Sequence, residues 1–189
     1  MERSLHVVIP DSTTIRELLD RYEEEVSPTH KSHQVEKYRL QTLRKCLGDK
    51  RVSALSPALI CKYRDTRLKA VSPASLKREL VILRSVLNTA IKEWGINLQS
   101  NPVSMVSLPK IGNGRDRRLE SGEEEKLLSS TDELKRLIIL ALETGMRRGE
   151  ILNIKKSHID FARQTLLIPL TKTDTPRTIS PIIKGHSGA

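Results

Sequence analysis

The chain contains 189 residues, of which 37% are hydrophobic and 30% are charged. This length provides one sizeable domain or two small ones. No apolar run is long enough to cross a membrane, and the first residues show no signal-peptide cleavage pattern, which argues against membrane and secreted proteins. The two cysteines, Cys46 and Cys61, match no metal-ligand or redox spacing. These features predict a cytoplasmic protein without a metal site or a disulfide framework.

The positive charge is concentrated in one third of the chain. The formal net charge is +10, from 33 lysines and arginines and 23 aspartates and glutamates. Residues 31–93 include 15 basic and five acidic side chains, whereas the remainder includes 18 of each. A concentrated basic surface favours a polyanionic partner, and nucleic acid is the usual one. The alternative is a solvated charge, spread over helix surfaces, that only maintains solubility.

Four amphipathic helices are predicted in the first half of the chain, over residues 15–26, 32–47, 57–69 and 73–94. Thr13 or Thr14 can cap the first helix, and Gly48 and Gly95 end the second and fourth. A Ser-Pro pair precedes both the third and the fourth helix, which is typical of a cap followed by proline in the first turn. The apolar pattern of the second helix consists of Val35, Tyr38, Leu40, Leu43 and Leu47.

The fourth predicted helix is apolar on one side and basic on the other. At about 100° per residue, its apolar side consists of Leu76, Leu80, Leu83, Leu87, Ala90, Ile91 and Trp94. The opposite side presents Lys77, Arg78, Arg84, Asn88 and Lys92. Cations and an amide donor on one side of a helix can bind phosphates or lie in a major groove. The alternative is an ordinary solvated helix surface.

Irregular structure is predicted over residues 101–118. Asn101-Pro102, Pro109 and the Gly-Asn-Gly sequence at 112–114 interrupt regular elements. This segment is basic, with Lys110, Arg115, Arg117 and Arg118. A basic tether between two helical units can follow a phosphate backbone, or it can be a solvated hinge.

The second half begins with helices and then changes to strands. Ser121 and Glu124 predict a capping box for a helix that ends near Ser130. A second helix carries Leu134, Leu137, Ile138, Leu140, Ala141 and Leu142, and Gly145 ends it. A short helix is predicted from Arg148 to Ile154. Residues 165–169 and 177–183 then alternate like strands around a turn-rich tip, which predicts a β-hairpin.

Four charged residues of this half suggest a phosphate site. Gly145 permits a sharp turn, after which Arg147 and Arg148 begin a short helix. Glu150 follows Arg147 by three residues, close enough to hold its guanidinium. An arginine fixed beside helix N-terminal amides can bind a phosphate bidentately. Lys172, at the predicted hairpin tip, can reach a site built elsewhere, although these residues could also be ordinary surface cations.

These residues resemble a known family. The segment Thr-Gly-Met-Arg-Arg-Gly-Glu-Ile-Leu at 144–152 is similar to the first catalytic arginine motif of the tyrosine recombinases, the phage integrase family. Residues 156–160, 165–169, 171–173 and 176–179 resemble, in order, the family's strands around its active-site lysine. Ser72-Pro73, the fourth helix and Asn101-Pro102 resemble the last helix and exit of its core-binding domain. The resemblance extends to about Ile182.

The resemblance implies a mainly α fold in two parts. Residues 1–11 would be a tail, and 12–108 a SAM-like, four-helix core-binding domain that contacts double-stranded DNA. Residues 109–118 would be a basic linker. Residues 119–189 would be the N-terminal part of an α+β catalytic domain, truncated and therefore incomplete, with a β-hairpin.

The resemblance also implies a chemistry that uses no metal and no other cofactor. Such enzymes cut and rejoin DNA through a covalent phosphotyrosine. Arg147 would stabilise the charge on the scissile phosphate, with Glu150 supporting it. Lys172 would protonate the leaving hydroxyl.

The sequence departs from the family pattern after the hairpin. No His-x-x-Arg sequence follows it, and the three tyrosines, Tyr22, Tyr38 and Tyr63, all lie in the first half. We therefore expect a DNA-binding member of the recombinase family that is catalytically incomplete in this chain, with a full-length recombinase protomer as a further partner. We also expect exposed apolar surface from Leu119 onward. The alternative is a non-catalytic helical interaction or regulatory module with no specific DNA site.

Overall fold

The computed structural model describes residues 12–112, 114, 117–169 and 175–180. The chain divides into two compact units, Met1–Gly114 and Arg115–Ala189. Two residues of the predicted site, Arg115 and Lys172, lie outside the described residues, as do most of the predicted tail and hairpin tip. Within the described ranges, no helix combines the length and the apolar character needed to span a membrane.

The first unit consists of the four predicted helices, confirmed as α1 (Ile15–Glu25), α2 (His33–Leu47), α3 (Pro57–Leu68) and α4 (Pro73–Lys92). Local capping determines where three of them begin. Thr14 accepts a hydrogen bond from the amide of Glu17, whose carboxylate accepts one from the Thr14 amide in return. Ser56 and Ser72 cap α3 and α4, and each is followed by a proline in the first helical turn.

The core of the first unit forms where α1, α2 and α4 pack together. Leu83 of α4 is fully buried, and so are Leu19 of α1 and Leu43 of α2. Ile82 and Val86 are buried as well, so the apolar side of α4 is wider than the sequence pattern predicted. The confirmed buried residues of that pattern are Leu76, Leu80, Leu83, Leu87, Ala90 and Trp94.

Buried carboxylates join the helices of this unit. Glu79 of α4 is 5% exposed and accepts hydrogen bonds from the Tyr63 hydroxyl at 2.6 Å and from Arg67 at 2.6 Å, both on α3. Burial raises the pKa of the Tyr63 phenol, which therefore stays a donor. Glu36, at the start of α2, accepts hydrogen bonds from Ser27, His30 and Ser32.

The predicted apolar pattern of α2 is wrong at two positions. Tyr38 is 72% exposed and Val35 is 51% exposed. The buried side of α2 instead consists of Glu36, Leu40, Leu43 and Leu47. Glu36 precedes Leu40 by one helical turn and shares its side, whereas Tyr38, about 200° from Leu40 at about 100° per residue, lies on the opposite side.

Gly48 ends α2 as predicted, although in a right-handed conformation with φ −52° and not in the left-handed conformation common at helix ends. The predicted linker needs a correction. The segment after Asn101 is not an open linker at its start, because Pro102–Met105 form a 3-10 turn and Asn101 and Val103 are buried.

The second unit contains three helices and a small sheet within its described residues. The helices are α5 (Glu123–Leu128), α6 (Asp132–Thr144) and α7 (Arg148–Leu152). The strands β1 (Ile159–Asp160), β2 (Thr165–Ile168) and β3 (Arg177–Ile179) form an antiparallel sheet in that order. The pairing of β2 with β3 confirms the predicted hairpin, with Leu167 opposite Thr178.

Two elements of this unit differ from what capping and periodicity predict, although the family resemblance included residues 156–160 among its strands. Ser121 does not cap α5, because Gly122 occupies the N-cap position with φ +80° and Glu123 accepts a hydrogen bond from the Glu120 amide. Strand β1 exists only through its pairing with β2, where Ile159 lies opposite Leu166, and two residues carry no periodic signal of their own.

The described residues of the second unit form only a small core, and apolar surface is exposed from Leu119 onward as predicted. Its buried cluster consists of Met146, Ile151, Leu166 and Ile168. Several large apolar side chains are exposed instead, namely Leu119, Leu127, Leu134, Leu137, Leu142, Leu152, Ile159, Phe161 and Leu167.

Candidate nucleic-acid interface and active site

The outer side of α4 presents cations that lack acidic partners among the described residues. Lys77, Arg84 and Lys92 form no ion pair with any described residue, and neither does the neighbouring Arg78. All four side chains are at least partly exposed. A surface cation without an acidic partner is hydrated, so a phosphate only has to displace water to bind it. No existing ion pair has to be broken.

Some of the other cations in residues 31–93 form ion pairs within the first unit, whereas others, such as Lys45 and Lys62, form none with a described residue. Arg44 of α2 forms ion pairs with Asp20 and Glu23 of α1. Arg67 pairs with Glu79, and Arg64 pairs with the adjacent Asp65 at 2.8 Å. The charge excess counted along the sequence is therefore smaller on α2 and α3 than the count indicates. The outer side of α4 retains its excess.

Asn88 has a structural contact that the sequence did not predict. Its side-chain oxygen accepts a hydrogen bond from the Asn101 amide nitrogen at 2.7 Å, and the same nitrogen donates to the Arg84 carbonyl at 2.9 Å. The Asn101 oxygen in turn accepts from the Val103 amide. Asn88 therefore attaches the turn after α4 to the helix, and its side-chain nitrogen donates to no described residue.

The predicted linker cations have different environments. Lys110 is exposed, and Arg118 is exposed without an ion pair to a described residue. Arg117 pairs with Glu123 at the start of α5. Arg117 therefore stabilises the first turn of the second unit, where a carboxylate also interacts favourably with the helix dipole.

The arginine motif is built by a left-handed turn between α6 and α7. Gly145 ends α6 with φ +61°, a conformation that favours glycine. Met146 is buried in the small core and anchors the turn. Arg147 then occupies the N-cap position of α7 with its side chain 60% exposed. The turn thus places a guanidinium at the surface beside the first amides of a helix.

Glu150 holds Arg147 in two ways. Its carboxylate accepts one hydrogen bond from the Arg147 backbone amide at 3.1 Å and another from the guanidinium Nη1 at 3.0 Å. The Glu150 side chain is only 5% exposed. The backbone hydrogen bond from Arg147 lowers the pKa of the Glu150 carboxyl, helped by the two neighbouring guanidiniums. The carboxylate is therefore ionised at neutral pH and keeps the arginine oriented.

A second arginine, Arg177 of β3, completes this cluster. Its Nη2 donates to Glu150 Oε2 at 2.8 Å, and its side chain is 42% exposed. Sequence reasoning included Arg177 in a strand but assigned it no role at the site. Its partner lies 27 residues earlier in the chain, so only the alternation of β3 could have hinted at its direction.

Glu150 lines a cavity of about 250 Å³. The lining is mixed, with apolar side chains such as Met146 and Ile168 and polar ones such as Lys155 and His158. The His158 Nδ1 accepts a hydrogen bond from the Lys155 amide. Within the described residues, no group of three acidic, histidine or cysteine side chains is arranged to hold a metal ion.

Comparison with known protein families finds two matches that follow the division into units. Residues 11–110 match the phage integrase N-terminal domain. Residues 117–182 match the phage integrase family. The first match alone spans more than half of the chain.

Individual relatives agree with these matches. The chain is 36% identical over 174 residues to a shufflon-specific DNA recombinase of Escherichia coli, which covers 85% of this chain and 45% of the relative. It matches a crystal structure of lambda integrase bound to DNA with a TM-score of 0.73 and 25% identity, over 89% of this chain and 60% of that one. A lambda integrase tetramer bound to a Holliday junction matches with a TM-score of 0.78 and 24% identity, over 90% and 49%. The chain thus spans about half the length of these proteins.

Proposed function

The chain belongs to the phage integrase family, and from that premise we propose that it serves site-specific DNA recombination or integration. In this proposal, the outer side of α4 binds duplex DNA and Arg147 binds a DNA phosphate. A further recombinase protomer is proposed as a partner, because the similar lambda integrase forms a tetramer on a Holliday junction.

One observation carries the DNA-binding part of the proposal. The cations of α4 lack acidic partners within the described residues, whereas Arg44, Arg64 and Arg67 elsewhere in the first unit are paired. Cations without an ion pair to a described residue also occur on α2 and α3, for example at Lys45 and Lys62, but on α4 four of them share one helix. Unpaired cations aligned on a helix are suited to a phosphate backbone.

The spacing of these cations fits a duplex. Lys77, Arg84 and Lys92 are separated by seven and eight residues, which is roughly 10 to 12 Å along a helix. This separation is close to the width of the major groove, about 12 Å in B-DNA. A helix that lies in or across the groove can therefore place successive cations on the phosphates at its edges. Val81, 39% exposed between them, is available for an apolar contact with a base edge.

The phosphate chemistry rests on Arg147. Its guanidinium uses one donor on Glu150 and has further donors directed to solvent. Two parallel donors of such a fork can bind two oxygens of one phosphate and stabilise the charge that develops there. Lys172 is proposed as the general acid for the leaving hydroxyl, on the family resemblance alone.

The test is DNA binding by the full 189-residue chain as a function of salt. We expect Lys77→Ala with Arg84→Ala to weaken binding to a mixed-sequence duplex and to reduce the slope of log K against log salt by about two, because each phosphate contact contributes roughly 0.9. The matched control is Arg16→Ala with Arg163→Ala. It removes the same charge from two arginines already paired with Asp49 and Asp160.

If DNA were attracted only by the overall positive charge, the two double variants would lose the same DNA affinity. Equal losses would therefore contradict an interface on α4. Binding that does not depend on salt, or no binding at all, would favour the alternative of a helical interaction module.

A further inference from the structure

We infer that Arg177 is a positioning residue: it binds Glu150 from the β-hairpin side and thereby fixes the Arg147 guanidinium in the direction of the phosphate. This inference rests on the proposed function, because it concerns how the same phosphate site is held. It adds a residue of β3 to a site that the sequence confines to the arginine motif and to Lys172.

The contacts form a chain from the sheet to the helix. Arg177 Nη2 donates to Glu150 Oε2 at 2.8 Å, and Arg147 Nη1 donates to Glu150 Oε1 at 3.0 Å. Each guanidinium therefore uses a different oxygen of one carboxylate. The Arg147 backbone amide also donates to Oε2, at 3.1 Å. With both oxygens occupied, the carboxylate cannot rotate without breaking a charged hydrogen bond.

Exposure decides which members can reach DNA. The Glu150 side chain is 5% exposed, whereas those of Arg147 and Arg177 are 60% and 42% exposed. The buried Glu150 carboxylate links the two arginines and does not itself contact a bound phosphate. Two guanidiniums on one carboxylate leave one net positive charge, so the cluster still attracts a phosphate.

The backbone of Arg177 is itself held. Arg177 lies opposite Ile168 in the pairing of β3 with β2, and Ile168 is buried in the core of the second unit. The support for Arg147 thus begins in a strand pair and passes through Glu150. An isolated arginine samples many rotamers, and an arginine anchored this way presents one fork to the phosphate.

A double-mutant cycle on the full chain tests the inference, with a mixed-sequence duplex of roughly three helical turns as the probe. We expect Arg147→Ala to weaken binding about tenfold and to lower the salt slope by about 0.9, the effect of one phosphate contact. Arg177→Ala should weaken binding about fivefold, less than Arg147→Ala, because it loosens the phosphate contact without removing it. In the Arg147→Ala background, Arg177→Ala should have no effect beyond that of removing one surface charge, which Arg163→Ala measures, because the residue acts through Arg147.

The possible outcomes separate the inference from the function on which it rests. Additive losses would show that Arg177 contacts DNA itself, and an inert Arg177→Ala beside a damaging Arg147→Ala would show that it does nothing; either result overturns the inference alone. An inert Arg147→Ala would instead overturn the proposed phosphate site. Arg163→Ala is the matched control, since it removes an 82% exposed arginine of the same unit that pairs with Asp160.

Two further measurements guard against loss of folding. Arg177→Lys keeps a donor for Glu150, so it should recover most of the DNA affinity. If Arg177 only supported folding, retaining a donor would not restore the affinity. In spectra of protein with ¹⁵N-labelled arginine side chains, the Arg147 Nε–H resonance should shift in Arg177→Ala and return toward its position in Arg177→Lys. An unchanged Arg147 resonance in a folded Arg177→Ala variant would overturn the inference.

Discussion

The first unit buries 22 apolar residues in one cluster, whereas the described part of the second unit buries four. The two units also carry their exposed cations differently. On α4 the cations stand on a helix that the core holds rigid, and they have no acidic partner among the described residues. In the second unit, Arg147 is oriented by a carboxylate and a second arginine. Where packing is extensive, it can orient a binding surface, and where packing is sparse, ion pairs must do so.

The largest effect should come from the core that makes the first unit rigid. Leu83 is fully buried at the centre of α4, and Leu83→Ala should lower the free energy of unfolding by about 4 kcal/mol through lost burial and a cavity. Leu134→Ala removes the same atoms from a side chain that is 49% exposed on α6. It should change the free energy of unfolding by about 0.5 kcal/mol or less. Urea unfolding measures both. Similar losses would contradict the contrast between the units.

A somewhat smaller effect is expected at the buried polar contact between α3 and α4. Glu79→Ala leaves the Tyr63 hydroxyl and the Arg67 guanidinium without their partner, and should cost about 3 kcal/mol because a buried charge loses its counter-ion. Glu24→Ala, at an exposed position of α1 without an ion pair to a described residue, is the control. If Glu79→Ala were as mild as this control, the helices would be held by apolar packing alone.

A pH-dependent effect should follow from Glu36. Burial raises the pKa of this carboxyl, but hydrogen bonds from His30, Ser32 and Ser27 outweigh burial, so the pKa lies below its ordinary value of 4.5. A pKa lowered by folding contributes stability that is complete above about pH 4.5 and is lost as the pH falls through the lowered value. Glu36→Gln should therefore flatten the acid side of the melting temperature profile of the first unit.

The control for this prediction is Glu24→Gln, which removes an exposed carboxylate and should leave the acid profile unchanged. An unaltered profile in Glu36→Gln would mean that other carboxylates govern acid unfolding. A profile altered equally in both variants would mean that net charge governs it, without a specific network at the start of α2.

The helices of the first unit were predictable because their signals are local. Ser56-Pro57 and Ser72-Pro73 determine where α3 and α4 begin through contacts within four residues. The burial of Glu36 was not predictable in the same way, because periodicity does not count a carboxylate as a core residue and its hydrogen-bond partners Ser27 and His30 lie outside α2.

The site shows the same limit of local reasoning. Arg147 and Glu150 are three residues apart, and their pairing follows from helix geometry. Arg177 joins them only because β3 pairs with β2, a contact between distant parts of the chain. Strand β1 is likewise created by its partner. Residues whose positions depend on tertiary contacts were the ones that the sequence alone could not assign.

The last prediction is that this chain forms no covalent bond to DNA. The proposed phosphate arginine lies in the second unit, whereas the tyrosines of this chain, Tyr22, Tyr38 and Tyr63, all lie in the first. Tyr22 and Tyr63 are buried, and their hydroxyls are engaged with Ser85 and Glu79. A phenol attacks phosphorus only when it is held in line with the leaving oxygen. Incubated with a nicked duplex and then denatured, the 189-residue polypeptide should therefore give no protein–DNA band.

The exposed Tyr38 makes this expectation open to refutation, because its ring is accessible on α2. A covalent band that disappears in Tyr38→Phe would show that the first unit supplies a nucleophile, and the division of roles between the units would have to be abandoned. A band that appears only after a complete recombinase is added, and that weakens in Arg147→Ala, would have a different meaning. The tyrosine would then come from the added protein, and this chain would contribute its arginine to a mixed assembly, which is the partnership that the proposed function requires.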